Sequence, residues 1–204
     1  MLSLKLVESD NVITAKIYKA YAKELEKHFR SVSGSLLSSL RPIITSALSS
    51  SPEIQSMSGG LLQADFGLTS NPGQSIVSSI ISTLALKTEK VSTNGKIITG
   101  GFTVVMQPQD YSNLFSLPVA TQIIEGGSLP WLKWLLTLGD TIIIANFGVE
   151  YGPYGRTGRA RMTEESRPFK VNSAFSGTVD DNFITRAIQR SKSQIINAII
   201  KAVK

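Results

Sequence analysis

The chain of 204 residues has no cysteine. That one absence excludes disulfides, thiolate zinc sites, iron–sulfur clusters and cysteine nucleophiles. A single histidine, His28, leaves no multi-histidine metal centre. Charge is sparse at 18 % while 42 % of positions are hydrophobic, enough apolar surface to offset the entropy of ordering and to argue against disorder. A long uninterrupted apolar run is also missing. The most hydrophobic stretch, Ser128 to Val149, is broken by Lys133, Gly139 and Asp140, so it predicts a soluble core in which a helix stops and a strand follows, and no membrane partner. The start, MLSLKLVESDN, lacks the cationic residues and apolar run of a secretory signal, and no targeting segment is expected.

What charge there is lies unevenly. Residues 1–155 balance 11 Lys and Arg against 11 Asp and Glu, whereas residues 156–204 hold 10 against 4, so the last quarter carries the whole net charge of +6. A localised positive surface suits a polyanion or an acidic partner; the alternative is a solvated helix face.

Periodicity predicts an α+β fold: a small antiparallel (mixed) sheet with a β-hairpin, flanked by N-terminal helices and a long C-terminal helix. One domain is expected over 1–204, with N-terminal helices in 1–50, a helix–hairpin–strand core with an arginine loop at 151–162 in 51–179, and the C-terminal helix in 180–204. The first helix is capped by Ser9 or Asp10 and places Tyr18, Tyr21, Ala22, Leu25 and Phe29 on one face, with His28 on the charged side; Pro42 predicts a break near Leu40. Ser51-Pro52-Glu53 and Asn71-Pro72 mark two further helix starts, with Gly59 and Gly60 ending the first and a compact connection between them. Asn94-Gly95 predicts a type I′ hairpin turn, and Gly100-Gly101 a bulge or close backbone approach. Leu129, Leu132, Leu135 and Leu136 face inward from a short helix, and one buried strand runs through Thr141–Tyr151. The last helix spans about Asn182–Val203, capped by Asp180 or Asp181.

Enzymatic chemistry finds little to stand on. In YGPYGRTGRARM, Tyr151 to Met162, glycines alternate with Arg156, Arg159 and Arg161, and such a loop can hold phosphate oxygens. Yet no helix follows, the P-loop lysine and hydroxyl are missing, and the glycine spacing is wrong for a dinucleotide fingerprint. Glu164-Glu165 and Asp180-Asp181 are adjacent pairs that read as a solvated loop and a helix cap. Trp131 and Trp134 could stack on a base or sugar, but within a leucine-rich helix they read as core. The expectation is a non-enzyme without catalytic residues, cofactor or metal. The arginine loop then binds nucleic-acid phosphates, pairs with acidic groups of a neighbouring subunit, or forms a solvated tip. Arg186 and Arg190 of the last helix join Arg156, Arg159 and Arg161 as candidates for a subunit interface or DNA contact.

Several strings together carry a resemblance: SPEIQSMSGGLLQADFGL, DYSNLFSLPVATQIIEGGSLPWLKWLLTLGD, VEYGPYGRTGRARM and FSGTVDDNFITRAI. Over about residues 50–190 the chain resembles neck and tail-completion proteins of tailed bacteriophages, including tail terminators and the broader head-to-tail joining family. Leu129 to Met162 is its most specific part. The resemblance implies a virion structural protein at the head–tail junction, made in the host cytoplasm. It implies a homo-oligomeric, hexameric ring between portal or connector and tail tube, with neighbouring neck, connector, tail-tube or sheath proteins as partners and double-stranded DNA passing through. Ring closure follows when a head-to-tail contact repeats by a fraction of a full turn. From a different class, the residues also allow a small basic nucleic-acid-binding module that uses the C-terminal quarter.

Overall fold

The computed structural model describes residues 7–124, 127–164 and 168–204. The fold is α+β: long helices near both ends, five shorter helices, and four separate two-stranded antiparallel ladders among the described residues. By internal contacts the chain divides into two compact units, each assembled from separate stretches. The first comprises Met1–Ser39, Ala85–Val105 and Asn197–Lys204; the second comprises Leu40–Leu84 and Met106–Ile196.

The helix α1, Asp10–Ser49, starts where the Ser9 carbonyl accepts the amides of Val12 and Ile13 at 2.9 and 3.1 Å. Ala22 is buried and Tyr18, Leu25 and Phe29 are half-buried, but Tyr21 is 63 % exposed, because it lies a step round the helix from the stripe that packs. No break occurs near Leu40. Pro42 stays inside the helix because Leu36, Leu40, Ile44 and Leu48, at a spacing of four, are wholly buried on one face while Pro42 and Ser38 are exposed on another. The carbonyl that loses its amide donor thus meets water, and the buried line outweighs the proline cost of about 3 kcal/mol. Ser31, Ser33, Ser35, Ser38 and Ser39 each donate a hydroxyl to a carbonyl three or four residues earlier.

Strands β1, Ala85–Asn94, and β2, Ile97–Val105, form the expected hairpin. The turn sits one residue later than Asn-Gly predicts: Asn94 pairs with Ile97, and Gly95 alone has positive φ, +59°, at the first central position, the type II′ pattern. The bulge expected at the glycines is present, since Lys90 and Val91 together oppose Gly100. A Cβ on Gly100 would stand 3.0 Å from Val91 Cα. Within the same unit Phe29 stacks on Phe102 at 5.1 Å, and half-buried His28, expected on the surface, donates Nε2 to the Val203 carbonyl at 3.3 Å.

The second unit is built from short elements. Helix α2, Pro52–Gly59, has its expected cap, with Ser51 Oγ accepting from the Ile54 amide at 3.4 Å. The connection after it is itself helical, α3 at Leu61–Phe66, ended by left-handed Gly67. Asn71 Oδ1 accepts the Gly73 amide at 3.0 Å ahead of α4, Gly73–Ser82, which buries Ile76, Val77 and Ile80. After α5, Ser112–Phe115, and a 3-10 turn at Pro118–Ala120 come β3, Gln122–Ile124, and β4, Gly127–Leu129. Helix α6, Trp131–Thr137, buries Trp131, Leu132, Leu135 and Leu136; Leu129 belongs to β4 instead. Trp131 is core: it stacks on Phe66 at 5.7 Å and donates its indole N–H to Val119 at 2.8 Å, while Phe66 meets Phe169 at 5.9 Å.

The single strand expected through Thr141–Tyr151 is two, β5 at Ile142–Ile144 and β6 at Phe147–Tyr151, because Asn146 turns the chain with φ +62°. Strand β5 pairs with β8, Phe169–Lys170, and β6 with β7, Ala160–Glu164. The last helix, α7 at Phe183–Val203, is capped by Asn182 and not by an aspartate. Its Oδ1 accepts the amides of Ile184 and Thr185 at 3.1 and 3.4 Å, and Thr185 Oγ1 accepts the Asn182 amide at 2.9 Å. A buried Asn serves better because its amide also donates to Tyr111 Oη at 2.7 Å.

Pro42→Ala, which restores a donor on an exposed face, is expected to raise the unfolding free energy by about 1–3 kcal/mol. Gly100→Ala is expected to lower it by about 1–3 kcal/mol through overpacking on Val91. Denaturant titration of the two variants distinguishes these opposite signs.

Candidate interface around the arginine hairpin

The β6–β7 ladder pairs Phe147 with Glu164 through Tyr151 with Ala160, and the arginine loop is its tip. The tip is a tight backbone structure. Gly152 donates its amide to the Arg159 carbonyl at 2.8 Å and Ala160 to that of Tyr154 at 3.2 Å. Gly155, at φ +67°, lies so close to the returning strand that a Cβ there would be 2.2 Å from the Ala160 oxygen.

All three arginines of the loop are exposed, yet each is tethered within the second unit. Arg156 Nη1 donates to the Ile123 carbonyl at 3.0 Å and Arg159 Nη1 to the Gly59 carbonyl at 2.6 Å. Gly59 is the last residue of α2, so Arg159 satisfies one of the carbonyls that a helix end leaves without an amide. Arg161 Nε meets Glu150 Oε2 at 2.8 Å, a directly cross-strand pair, and its guanidinium lies 4.4 Å over the Tyr154 ring. The tip is exposed, as the solvated reading has it, and is also pinned to β3 and α2.

Arg186 and Arg190 stand apart from this hairpin in role. Arg186 was a surface candidate, but its Nη2 meets Glu53 Oε1 at 2.8 Å and its Nη1 meets Asp181 Oδ1 at 3.2 Å. Glu53 is only 3 % exposed, and its Oε2 has no hydrogen-bond partner among the described residues. Glu53, expected only as part of a helix start, is therefore the buried half of an ion pair that holds the start of α2 to α7. Arg159 and Arg186 grip α2 at opposite ends, about 9 Å of helix apart. Arg190 is exposed and makes no ion pair among the described residues. Of the adjacent acid pairs, Glu165 lies outside the described residues.

Two residues passed over in the sequence complete the site. Tyr151 donates its hydroxyl to Asp65 Oδ1 at 2.6 Å, joining the end of β6 to α3. Desolvation raises the Asp65 carboxyl above its ordinary range, partly opposed by this hydrogen bond. Burial, then the bond to Asp65 and its charge, push the Tyr151 phenol well above an ordinary tyrosine. The lone acid in LLQADF, set among apolar residues, was the available signal for Asp65. Beside the pair opens a cleft of about 400 Å³ lined by Asp65, Ile123, Ile124, Met162 and Arg156. Its rim is apolar and open, with Ile123 73 %, Met162 42 % and Ile124 37 % exposed. An apolar rim flanked by tethered guanidinium groups suits a protein surface carrying apolar and anionic groups.

Among the described residues no group of three or more His, Asp or Glu is placed to hold a metal ion, and no helix is long and apolar enough to cross a membrane. Comparison with protein-family models, with curated proteins and with solved structures finds no match.

Arg186→Ala, which strands the Glu53 carboxylate, is expected to cost about 3 kcal/mol in denaturant unfolding, whereas Glu53→Leu combined with Arg186→Leu recovers most of that loss. Asp65 binds its proton more tightly folded than unfolded, so it withdraws stability as pH rises from the unfolded carboxylate range through its raised folded value. Tyr151→Phe removes the opposing hydrogen bond and is expected to move the Asp65 titration higher still, read from its carboxyl carbon shift. Asp65→Asn is expected to lower the Tyr151 phenol titration, read in the ultraviolet.

Proposed function

We propose that this chain is a non-enzymatic virion structural protein of the head–tail junction of a tailed bacteriophage. In this reading it is a neck or tail-completion subunit closing as a homo-oligomeric, hexameric ring between portal or connector and tail tube, with DNA passing through. The reading starts from the motif resemblance over about residues 50–190. The observation that carries it is the open apolar cleft beside the pinned arginine hairpin, a surface suited to another macromolecule.

A head-to-tail ring needs two different, complementary patches on each copy. The cleft at Ile123, Ile124 and Met162 supplies the receiving patch. Ile97, 65 % exposed beside the turn of the β1–β2 hairpin, supplies an apolar projection of the size to enter it. The tethered guanidinium groups of Arg156 and Arg161 border the cleft and offer further donors to a neighbour's carboxylates.

Purified protein, alone or with tail-tube or connector partners, is expected to give rings by light scattering and negative-stain microscopy. Met162→Glu and Ile97→Glu are each expected to abolish them without lowering the melting temperature. Mixing the two variants should give dimers and nothing larger, because one intact patch of each kind remains. A species that stays monomeric with every virion partner would sink the proposal.

A further inference from the structure

The fold redistributes the charge that the sequence order suggested. The first unit holds eleven Lys and Arg against five Asp and Glu, and the second holds ten of each. The whole net +6 therefore belongs to the first unit, and the unit bearing the arginine hairpin is neutral. Ten of the first unit's eleven cations are lysines.

Five of these cations form a row. Lys16, Lys19, Lys23, Lys27 and Arg30 follow one another on α1 at spacings of three and four, which places them on one helix face over about 21 Å. All five are exposed. Lys16 pairs with Glu8 and Arg30 with Glu26, while Lys19, Lys23 and Lys27 make no ion pair among the described residues. Within the unit the α7 end reaches His28, about 100° round from Lys27, and β2 reaches Phe29, about 200° round, while Ile17 and Tyr21 on a further side are exposed. The lysine face is open along its length.

From this row we infer that α1 is a docking surface for the phosphate backbone of double-stranded nucleic acid, without sequence preference. A straight rod of evenly spaced point charges complements a regular polyanion. Between Lys16 and Arg30 that face carries no large apolar side chain to enter a lipid surface and no aromatic ring to stack on an unpaired base; exposed Val12 lies one turn before the row, and exposed Ile17 and Tyr21 lie on other sides. Lysines neutralise phosphates but lack the fork that reads base edges. The inference stands on the segregation of the five cations to one face of α1, with Glu24 and Glu26 about 100° to either side of Lys23 and Lys27 respectively, and does not rest on the ring reading.

The test is fluorescence anisotropy of the full chain on a labelled random-sequence duplex of about 30 base pairs across a salt series. The triple variant Lys19→Gln/Lys23→Gln/Lys27→Gln is expected to flatten the slope of log K against log salt by about 2.7, a loss between roughly 50 and 200 mM salt that is about 40-fold smaller than wild type. Replacing the same lysines by arginine should keep the wild-type slope, and Arg190→Gln/Lys192→Gln, which removes exposed cations of the second unit, should leave it unchanged. No wild-type binding at low salt, equal slopes for wild type and the glutamine variant, or binding to phosphatidylserine vesicles but not to the duplex would each overturn the inference. Ring formation, read separately by light scattering, is expected to be the same in the glutamine variant.

Discussion

Short elements leave many carbonyls and carboxylates without partners, and the second unit meets that constraint with guanidinium groups. A helix of eight residues has half its carbonyls at an end, and a two-stranded ladder has two open edges. Arg159 serves the end of α2, Arg41 donates to the Ile81 carbonyl near the end of α4 at 3.2 Å, and Arg156 serves β3. Arg186 neutralises buried Glu53, and Arg161 ties β7 to β6. The planar, permanently charged fork is suited to this because it reaches two acceptors at once, as Arg186 does with Glu53 and Asp181. The arginine hairpin is thus part of the same device that holds the small helices and ladders in place.

The division of labour between the two cations follows from the same chemistry. Seven of the ten cations in the second unit are arginine, and ten of the eleven in the first are lysine. A lysine ammonium is strongly hydrated and carried on a flexible stem, so it adds charge without fixing geometry. The first unit, built on a long helix and a long hairpin, has few stranded carbonyls to satisfy. Its serine hydroxyls turn inward onto the helix backbone, and its lysines stay in water.

Local chemistry was legible in the residues. Ser51-Pro52 marked the start of α2, the Asn-Gly pair marked the hairpin, and the double glycine marked the bulge, since each depends on neighbours a few positions away. Pro42 misled because its cost is local while the buried line through Leu36, Leu40, Ile44 and Leu48 is tertiary. Asn182 was passed over for the aspartates beside it, because only the fold shows that the cap is buried and needs a side chain that also donates to Tyr111. The arginine loop was found as a motif, but its tethers lie 33 and 100 residues away in sequence, at Ile123 and Gly59. For Arg186 the partner is 133 residues distant, and no pattern along the chain announces it. The interleaving of three stretches into the first unit hid the charge asymmetry for the same reason.

The tight return at Gly155 also bears on how this surface can diversify. A side chain at that position would collide with the Ala160 oxygen, whereas Pro153 and Thr157 flank it in the same tip. Descendants of this sequence that keep the turn are therefore confined to glycine at 155, while drift at 153 and 157 can retune which surfaces the tip fits without rebuilding the hairpin.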